Sequence, residues 1–330
     1  MKICIYGAGA IGGFIGARLG VQGHALTAVA RGATLEALRA RGLRLVTDDP
    51  VVEAAVEAPL EASADPAALG MQDLVVVAVK APAMPEVAAR IAPLLGPDTV
   101  VLTAMNGVPW WFFSGMPGPC SDLQLTTLDP ADAIASAIPV HRVVGCVVHA
   151  ACTSPEPGVV RHVKGQGLIV GEPAGGASPR VTALAQVLAD AGFEARVSQH
   201  IQQDIWYKLW GNMTMNPVSA FTGATLDRIL DDPLASAFCQ AVMQEAKAIG
   251  DAIGCPIEQS TTDRNAITRR LGAFRTSMLQ DVDAGKPLEI DALLTVVREI
   301  AGRVAIATPN LDALLGLVRV FARTRGLYPD

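Results

Sequence analysis

The chain has 330 residues, of which 51% are hydrophobic and 18% are charged, and its formal net charge is −6. This composition is typical of a folded protein and excludes an intrinsically disordered chain. The acidic balance, and a sequence without any run rich in lysine and arginine, disfavour a nucleic-acid partner.

The first part of the chain alternates apolar strands with helices, as a parallel α/β sheet requires. The predicted strands cover residues 2–6 (KICIY), 25–31, 73–80 and 99–107, and the predicted helices between them include residues 34–42 and 86–95. Apolar strands in this alternation are covered by helices on both faces of the sheet. A chain of this length also usually needs more than one hydrophobic core, so two domains are expected.

The pattern changes after residue 140. The runs VVGCVVHAACT and GLIVGEP are predicted to add antiparallel strands, and residues 178–192 a helix. From about Ser198 the chain is predicted to be helical, with breaks at Asn216-Pro217, Gly254-Cys255-Pro256, Gly285-Lys286-Pro287 and Thr308-Pro309-Asn310. We therefore expect a Rossmann-type dinucleotide-binding domain over residues 1–197 and an all-helical domain over residues 198–330.

A glycine-rich turn directly follows the first strand. Gly7, Gly9 and Gly12 form the pattern G-x-G-x-x-G between that strand and the start of a helix. Glycines in this context allow a tight turn and a close approach of the backbone to a pyrophosphate, whose charge the helix N-terminus favours. The turn therefore predicts a dinucleotide site, and a glycine-rich packing turn is the alternative.

Three polar residues end strands of the predicted sheet. Arg31 stands at the end of the second strand, where an enzyme that uses NAD carries an acidic residue for the ribose 2′-hydroxyl. A cation there suits the 2′-phosphate of NADP, and an ordinary surface arginine is the alternative. Lys80 and Asn106 end two further strands. Since ligands of such sheets bind at the carboxyl ends of the strands, the two residues together favour a site there.

A polar stripe runs along the first helix of the second domain. Lys208, Asn212 and Asn216 follow one another at intervals of four in YKLWGNMTMNP. Each step of four turns a side chain by only about 40°, so the three groups share one narrow face of an otherwise apolar helix. The stripe is either a solvated edge or the lining of a cleft between the two domains.

A second polar stretch, TSMLQDVDAGKPLEID, lies nearer the end of the chain. Ser277 and Asp281 are one helical turn apart, and Glu289 and Asp291 follow a Gly-Lys-Pro turn. A carboxylate beside a buried lysine keeps that lysine protonated, as a general acid must be. Ordinary polarity of a helix surface is an equally good interpretation of Ser277 and Glu289 from the residues alone.

Seven segments spread over nearly the whole chain match one enzyme family. They are GAGAIGG, AR at 30–31, VK at 79–80, NGV at 106–108, PGVVRH at 157–162, KLWGNMTMNPVSA at 208–220 and SMLQD…GKPLEID at 277–291. The sequence resembles the ketopantoate reductase (2-dehydropantoate 2-reductase) family. The most specific parts are the run from Lys208 to Pro217 and the run from Ser277 to Asp291.

The resemblance implies a role for each matching position. Lys208 corresponds to the catalytic lysine that gives a proton to the carbonyl oxygen, and Glu289 to the acidic residue that assists it. The positions that bind substrate correspond to Asn106, Asn212, Asn216 and Ser277. The positions that bind the cofactor correspond to Gly7, Ala8, Gly9, Ala10, Ile11, Gly12, Arg31, Lys80 and Asn106.

We therefore expect an NADPH-dependent reductase of a 2-oxo acid, with 2-dehydropantoate as the favoured substrate. Three departures from the family pattern leave the exact acid open: the aromatic segment after Asn106, the long connection 121–140, and EIDALL where Asn-Gly is common after Glu-Ile-Asp. The alternatives are a reductase of another branched or bulky 2-oxo acid, and a dinucleotide-binding redox sensor without catalysis. A metal-dependent hydroxy-acid dehydrogenase is disfavoured, because the sequence shows no His/Asp ligand cluster and predicts no metal site.

The cysteines and the longest uncharged stretch bear on the compartment. The six cysteines form no C-x-x-C pair and are expected to be free thiols, which suits a reducing cytoplasm. The stretch 99–121 is uncharged but contains three prolines and three glycines, so no membrane span is expected. The sequence leaves the oligomeric state open, with a homodimer as one candidate.

Overall fold

The computed structural model describes residues 1–47, 55–121 and 123–329 and divides the chain into two compact units. The first comprises Met1–Met105 and Ala131–Ile201, and the second comprises Asn106–Pro130 and Gln202–Asp330. The division into a dinucleotide-binding domain and a helical domain near residue 197 stays a prediction.

The first unit is built on a mixed β-sheet. In the described residues its strands are β1 (Lys2–Tyr6), β2 (Ala25–Val29), β3 (Leu43–Thr47), β4 (Ala55–Ala58), β5 (Glu61–Ser63), β6 (Gln72–Val77), β7 (Leu95–Thr103), β8 (Val143–Glu156), β9 (Val159–Gly171) and β10 (Glu194–Val197). Their order is β4-β3-β9-β8-β7-β6-β1-β2-β5, with β10 beside β9.

The strand directions agree with the sequence pattern. Strands β2, β1, β6 and β7 pair in parallel, which confirms the predicted parallel sheet. The expected antiparallel addition is the pair β8 and β9. Strand β1 lies between β2 and β6, so the chain leaves β1 at the point where the strand order reverses. In open α/β sheets ligands bind at that point, beyond the carboxyl ends of the strands.

Five helices accompany the sheet in the described part of the first unit. They are α1 (Ala10–Val21), α2 (Gly32–Arg41), α3 (Met84–Arg90), α4 (Ala133–Ala137) and α5 (Pro179–Asp190). Helix α1 lies directly on β1, because a Cβ on Gly16 would stand only 2.8 Å from Cγ1 of Ile5. Phe14, Ile15 and Leu19 of α1 are fully buried. This close packing holds the N-terminus of α1 at the carboxyl end of β1.

The described part of the second unit is helical. Its helices are α6 (Ile201–Thr222, whose first residue belongs to the first unit), α7 (Leu226–Asp231), α8 (Pro233–Ile253), α9 (Thr261–Arg269), α10 (Ser277–Asp283), α11 (Val296–Arg303) and α12 (Pro309–Arg323). A π-helical turn, Asp291–Thr295, leads directly into α11. The predicted breaks at Gly254, Gly285 and Thr308 are confirmed. Within the described ranges no helix is long and apolar enough to cross a membrane.

The expected break at Asn216-Pro217 is wrong, because α6 continues through Pro217 to Thr222. A proline inside a helix removes one hydrogen bond and crowds the carbonyl four residues earlier, which costs about 3 kcal/mol. Burial of the helix offsets this cost, since Trp206, Trp210 and Met213 are all at most 1% exposed. Each large apolar side chain buried contributes about 1.5–3 kcal/mol, so packing outweighs local propensity here.

Indole groups join α6 to α8 in the core of the second unit. Trp206 Nε1 donates to the Ala246 carbonyl at 3.2 Å, and Trp210 Nε1 donates to the Met243 carbonyl at 2.8 Å. Phe112, from the aromatic segment after Asn106, packs against Trp206 with 6.0 Å between ring centroids and is fully buried. The aromatic bulk that the sequence shows after Asn106 therefore contributes to the core of this unit.

The carboxylate of Glu245 on α8 fixes the start of α12. It accepts hydrogen bonds from Asn310 N at 2.9 Å, Asn310 Nδ2 at 2.7 Å and Leu311 N at 2.8 Å. The first backbone N–H groups of a helix have no partner inside the helix, so a carboxylate from another helix both satisfies them and complements the helix dipole.

We expect Glu245→Ala to lower the free energy of unfolding by about 1–3 kcal/mol, because three donors lose a charged acceptor. Urea denaturation followed by circular dichroism measures the loss. Gln244→Ala, at the exposed neighbouring position on α8, is the matched control and should change stability little. Equal stability of the two variants would show that Glu245 does not hold α12.

Candidate active site

A cavity of about 260 Å³ lies at the carboxyl ends of β1 and β2 in the first unit. This volume suits one end of a dinucleotide rather than a whole one. The lining residues come from the end of β1, the glycine loop, the end of β2, α2, the loop after β6, and α3. They are Tyr6, Gly7, Ala8, Gly9, Val29, Ala30, Arg31, Thr34, Val79, Ala83, Glu86, Val87 and Arg90.

The three glycines of the loop differ in what a side chain at each position would meet. Gly7 has φ +98, and a Cβ there would stand 2.7 Å from Cγ1 of Val79. A Cβ on Gly12 would collide with the carbonyl oxygen of Gly7. Gly9 is different, since its φ of −82 suits any residue and nothing lies within 4 Å of a Cβ built on it. The space in front of Gly9 therefore fits a ligand that approaches the backbone, as the pyrophosphate of a dinucleotide does.

The remaining residues predicted for the cofactor lie around this loop. Ala8 lines the cavity, while Ala10 and Ile11 begin α1 and are half-buried. Lys80 is half-buried in the loop after β6, beside a short 3₁₀ turn at residues 81–83, and is not among the residues that line the cavity. Its role in cofactor binding stays a prediction.

Charged groups gather at one end of the cavity. Arg31 forms an ion pair with Glu86, whose two carboxylate oxygens each lie 2.7 Å from Arg31 Nη1. Burial raises the pKa of Tyr6, which also lines the cavity, while the positive charge of Arg90 acts in the opposite direction. The phenol is therefore neutral, and the charges at this end of the cavity belong to Arg31, Glu86 and Arg90.

The polar stripe of α6 is not a solvated face. Lys208 and Asn212 are half-buried, and Asn216 is only 8% exposed. The flanking residues Leu209 and Met213 are almost completely buried. The solvated-edge interpretation fails for Asn216 in particular, since an exposed face would leave this side chain in water.

The structure brings together Lys208 and Asn106, which are far apart in the sequence. Lys208 Nζ donates a hydrogen bond to Asn106 Oδ1 at 2.9 Å, and both residues belong to the second unit. This bond orients one N–H of the ammonium group. An ammonium carries three donors, so the same lysine can also donate to a ligand.

The turn that carries Asn106 is fixed against the π-helical turn. Gly107 has φ +81, and a Cβ there would stand 2.8 Å from the Cβ of Ala292. Val108 N donates to the Ala292 carbonyl at 2.9 Å. Glu289, which is half-buried, lies three residues before Ala292 on the same segment. The contact therefore ties the turn of Asn106 to the segment of Glu289. The contact also gives Ala292 a structural role. This residue lies where the chain reads EIDALL, while Asn-Gly is common after Glu-Ile-Asp in the family.

Asp291 and Ser277 differ in how firmly they are held. Tyr328 Oη donates to Asp291 Oδ1 at 2.7 Å, and burial followed by this carboxylate raises the pKa of Tyr328 to about 12. Ser277 is exposed at the first position of α10, one residue after Thr276, whose hydroxyl caps that helix. The contacts that join Asn106, Lys208 and Ala292 do not include Ser277, so its substrate contact stays a prediction.

Arg264 was not predicted from the sequence, although it packs beside the polar stripe. Its guanidinium carbon lies 5.0 Å from the centre of the Tyr207 ring, and a Cβ on Gly211 would stand 2.7 Å from Arg264 Nη2. Gly211 thus gives the guanidinium room against α6. A glycine inside an apolar helix is the one sequence signal that could have indicated this close approach.

The two glycines offer a matched pair of variants. We expect Gly9→Ala to leave the melting temperature unchanged and to weaken NADPH binding about tenfold or more, because its methyl group enters only the ligand's space. Gly12→Ala should lower the melting temperature as well, since its Cβ meets backbone. Fluorescence titration with NADPH and thermal melts distinguish the two. Undiminished NADPH binding by Gly9→Ala would contradict this site.

Two models of one protein family match the chain. The model described as "Ketopantoate reductase PanE/ApbA" matches residues 3–175, and "Ketopantoate reductase PanE/ApbA C terminal" matches residues 200–322. The chain is 46% identical over 329 residues to the 2-dehydropantoate 2-reductase of Mesorhizobium japonicum, which covers 99% of this chain and 100% of that protein.

Solved structures agree with the family match. A Ralstonia solanacearum MolK2 protein proposed to be a ketopantoate reductase is 60% identical, with a TM-score of 0.94 and 99% of each chain covered. A D-mandelate dehydrogenase solved with NADH and anilino(oxo)acetate shares the fold at 20% identity, with a TM-score of 0.82 and 99% and 100% of the two chains covered. The chain belongs to the ketopantoate reductase PanE/ApbA family.

Proposed function

We propose that this protein reduces 2-dehydropantoate to pantoate with NADPH, a step of pantothenate biosynthesis. The observation that carries the proposal is the hydrogen bond between Lys208 and Asn106 in a half-buried polar stripe. It places an oriented ammonium donor in a chain that is 46% identical to a 2-dehydropantoate 2-reductase. The NADPH-dependent reduction of a ketone requires such a proton donor.

The residues of the first unit fit the cofactor. The open space at Gly9 and the N-terminus of α1 would receive the pyrophosphate, and Arg31 would bind the 2′-phosphate. When bound, NADPH supplies the hydride that reduces the ketone carbon. The protein contributes position and charge, and the rest of the chemistry concerns the proton.

Lys208 has the role of general acid in this proposal. One of its three N–H groups donates to Asn106, and the ammonium would also donate to the carbonyl oxygen of the substrate. Glu289 lies on the segment tied to the Asn106 turn, and in this proposal its carboxylate would favour the protonated form of the lysine. Asn212, Asn216 and Ser277 would supply further donors to the carboxylate and the hydroxyl of the substrate.

A non-catalytic redox sensor explains these features less well. Such a protein has no use for a half-buried lysine whose ammonium is oriented by an asparagine. Reduction of another branched or bulky 2-oxo acid is the better second candidate, and substrate comparison decides between the two reductases.

We place the reaction in the cytoplasm. For the assembly, a homodimer is the candidate, and light scattering measures it. Burial raises the pKa of Cys239 and Cys255 to about 12, so these free thiols stay protonated and unreactive. Such thiols suit a reducing compartment. The exposed Leu317 and Val320 lie one turn apart on α12 and could form part of a subunit contact.

We expect Lys208→Ala to lower kcat by roughly 10²–10⁴, which is the usual contribution of a positioned proton donor. The Kd of NADPH should hardly change, since the residues of the cofactor cavity belong to the first unit. Steady-state kinetics and a separate NADPH titration measure the two effects. Lys286→Ala, at an exposed lysine of the second unit, is the control. Near wild-type turnover by Lys208→Ala would assign the lysine a structural role only.

The substrate is tested by a pair of acids. We expect kcat/KM for 2-dehydropantoate to exceed that for 2-oxoisovalerate by roughly tenfold to a hundredfold. The two acids share the branched carbon, but 2-oxoisovalerate lacks the terminal hydroxyl, so polar groups of the site would be left without a partner. Oxidation of NADPH, followed by absorbance, measures both values. A ratio of one or less would assign the protein to another 2-oxo acid.

A further inference from the structure

Three charged side chains share one end of the cofactor cavity in the first unit. Arg31 lies at the end of β2, and Glu86 and Arg90 lie one helical turn apart on α3. Arg31 Nη1 is 2.7 Å from both oxygens of the Glu86 carboxylate, and Arg90 Nη1 is 3.7 Å from Oε1 of the same group. A single carboxylate is therefore shared by two arginines that face the ligand space.

Neither arginine is fully occupied by this carboxylate. Arg31 meets Glu86 through Nη1 alone, and its Nη2 and Nε make no hydrogen bond within the part of the chain that the structure describes. Arg90 is anchored by a 2.8 Å bond from Nη2 to the carbonyl of Ala64. Two cations with unused donors, one of them anchored, form a site that attracts a phosphate monoester.

Glu86 acts against that attraction. Its side chain is 42% exposed and that of Arg31 is 66% exposed, so their ion pair contributes little to stability and little to holding Arg31 in place. A phosphate bound to Arg31 would carry a charge near −2 and would lie close to the Glu86 carboxylate. Repulsion between the bound phosphate and the Glu86 carboxylate therefore outweighs any benefit that Glu86 gives by positioning Arg31.

We propose that Glu86 sets how strongly the cavity discriminates NADP from NAD, and that Arg90 acts with Arg31 as the second cation for the 2′-phosphate. Enzymes that use NAD carry an acidic residue at the end of the second strand, where it accepts a hydrogen bond from the ribose 2′-hydroxyl. Here α3 supplies such a carboxylate beside the arginine of that strand. The cavity therefore contains one group suited to each cofactor, and Glu86 weakens the preference for NADP.

This inference rests on the proposed function only through the dinucleotide, so its test omits the 2-oxo acid. Isothermal titration measures the Kd of NADP⁺ and of NAD⁺ for the whole chain at one fixed ionic strength. The variants are Glu86→Gln, Glu86→Ala and the control Glu36→Gln, which removes the same charge from an exposed position of α2 outside the cavity. Thermal melts verify that each variant is folded.

For both variants of Glu86 we expect the Kd of NADP⁺ to fall about three- to tenfold, while the Kd of NAD⁺ stays equal or rises. The control should leave the ratio of the two constants unchanged. A ratio that is unchanged or reversed in the Glu86 variants would overturn the proposal, because Glu86 would then only hold Arg31. An equal gain in the control would also overturn it, because the effect would come from net charge alone.

Arg90 is tested in the same titrations. Arg90→Gln should weaken NADP⁺ about three- to tenfold and leave NAD⁺ unchanged, whereas Arg90→Lys should keep most of the NADP⁺ affinity. Equal weakening of both dinucleotides would show that Arg90 acts only through its bond to Ala64, and the second cation would be disproved. Turnover of 2-dehydropantoate is measured separately, so its failure would leave these binding results intact.

Discussion

A single close backbone contact, between Gly107 and Ala292, organises the part of the second unit that contains Lys208 and Asn106. The positive φ of Gly107 and the absence of a side chain let the turn lie directly on the Ala292 carbonyl. This contact places Asn106 where its amide oxygen accepts a hydrogen bond from Lys208. It also fixes the segment of Glu289 relative to that turn. Three stretches that are distant in sequence thus meet at one point, and the orientation of Lys208 depends on the turn that carries Asn106.

The same unit tolerates a polar stripe because the other faces of α6 are so well packed. Trp206 and Trp210 each use the indole N–H to bind a carbonyl of α8, so their burial leaves no polar atom without a partner. Phe112 adds a ring from the segment that follows Asn106. Burial on this scale stabilises the helix by far more than Pro217 destabilises it. Lys208 therefore lies on a well-packed helix instead of a loop.

The sequence predicted those parts of the fold that local pattern determines. Apolar runs placed β1, β2, β6 and β7, and the glycine pattern placed the dinucleotide turn, because periodicity and backbone sterics act over a few residues. Spacing along a helix placed Lys208 beside Asn212 and Asn216. The predicted helix break at Pro217 was wrong because the packing that sustains α6 is not local. It comes from α8 and from the segment 106–130. That segment lies in the second unit although it directly follows a strand of the first.

Contacts between side chains that are far apart in the sequence could not be predicted from a sequence pattern. Nothing in the order of residues pairs Arg31 with Glu86, or Glu245 with Asn310, since each pair forms only when two elements pack. Arg264 was missed for the same reason, although Gly211 could have indicated a neighbour that needs room. Family resemblance supplied the roles of Ser277 and Glu289, which the residue pattern alone left undecided.

The π-helical turn at Asp291–Thr295 makes this stretch of the chain sensitive to a change in its length. A π turn contains one residue more per hydrogen-bonded ring than an α-helix, so it behaves as an insertion absorbed within the helix. Deleting one residue there would restore a regular helix and rotate everything before it by about 100°. Glu289 would then leave its place relative to the Asn106 turn. A single-residue deletion in the π turn would therefore change the geometry around Lys208 and Asn106 without altering either residue.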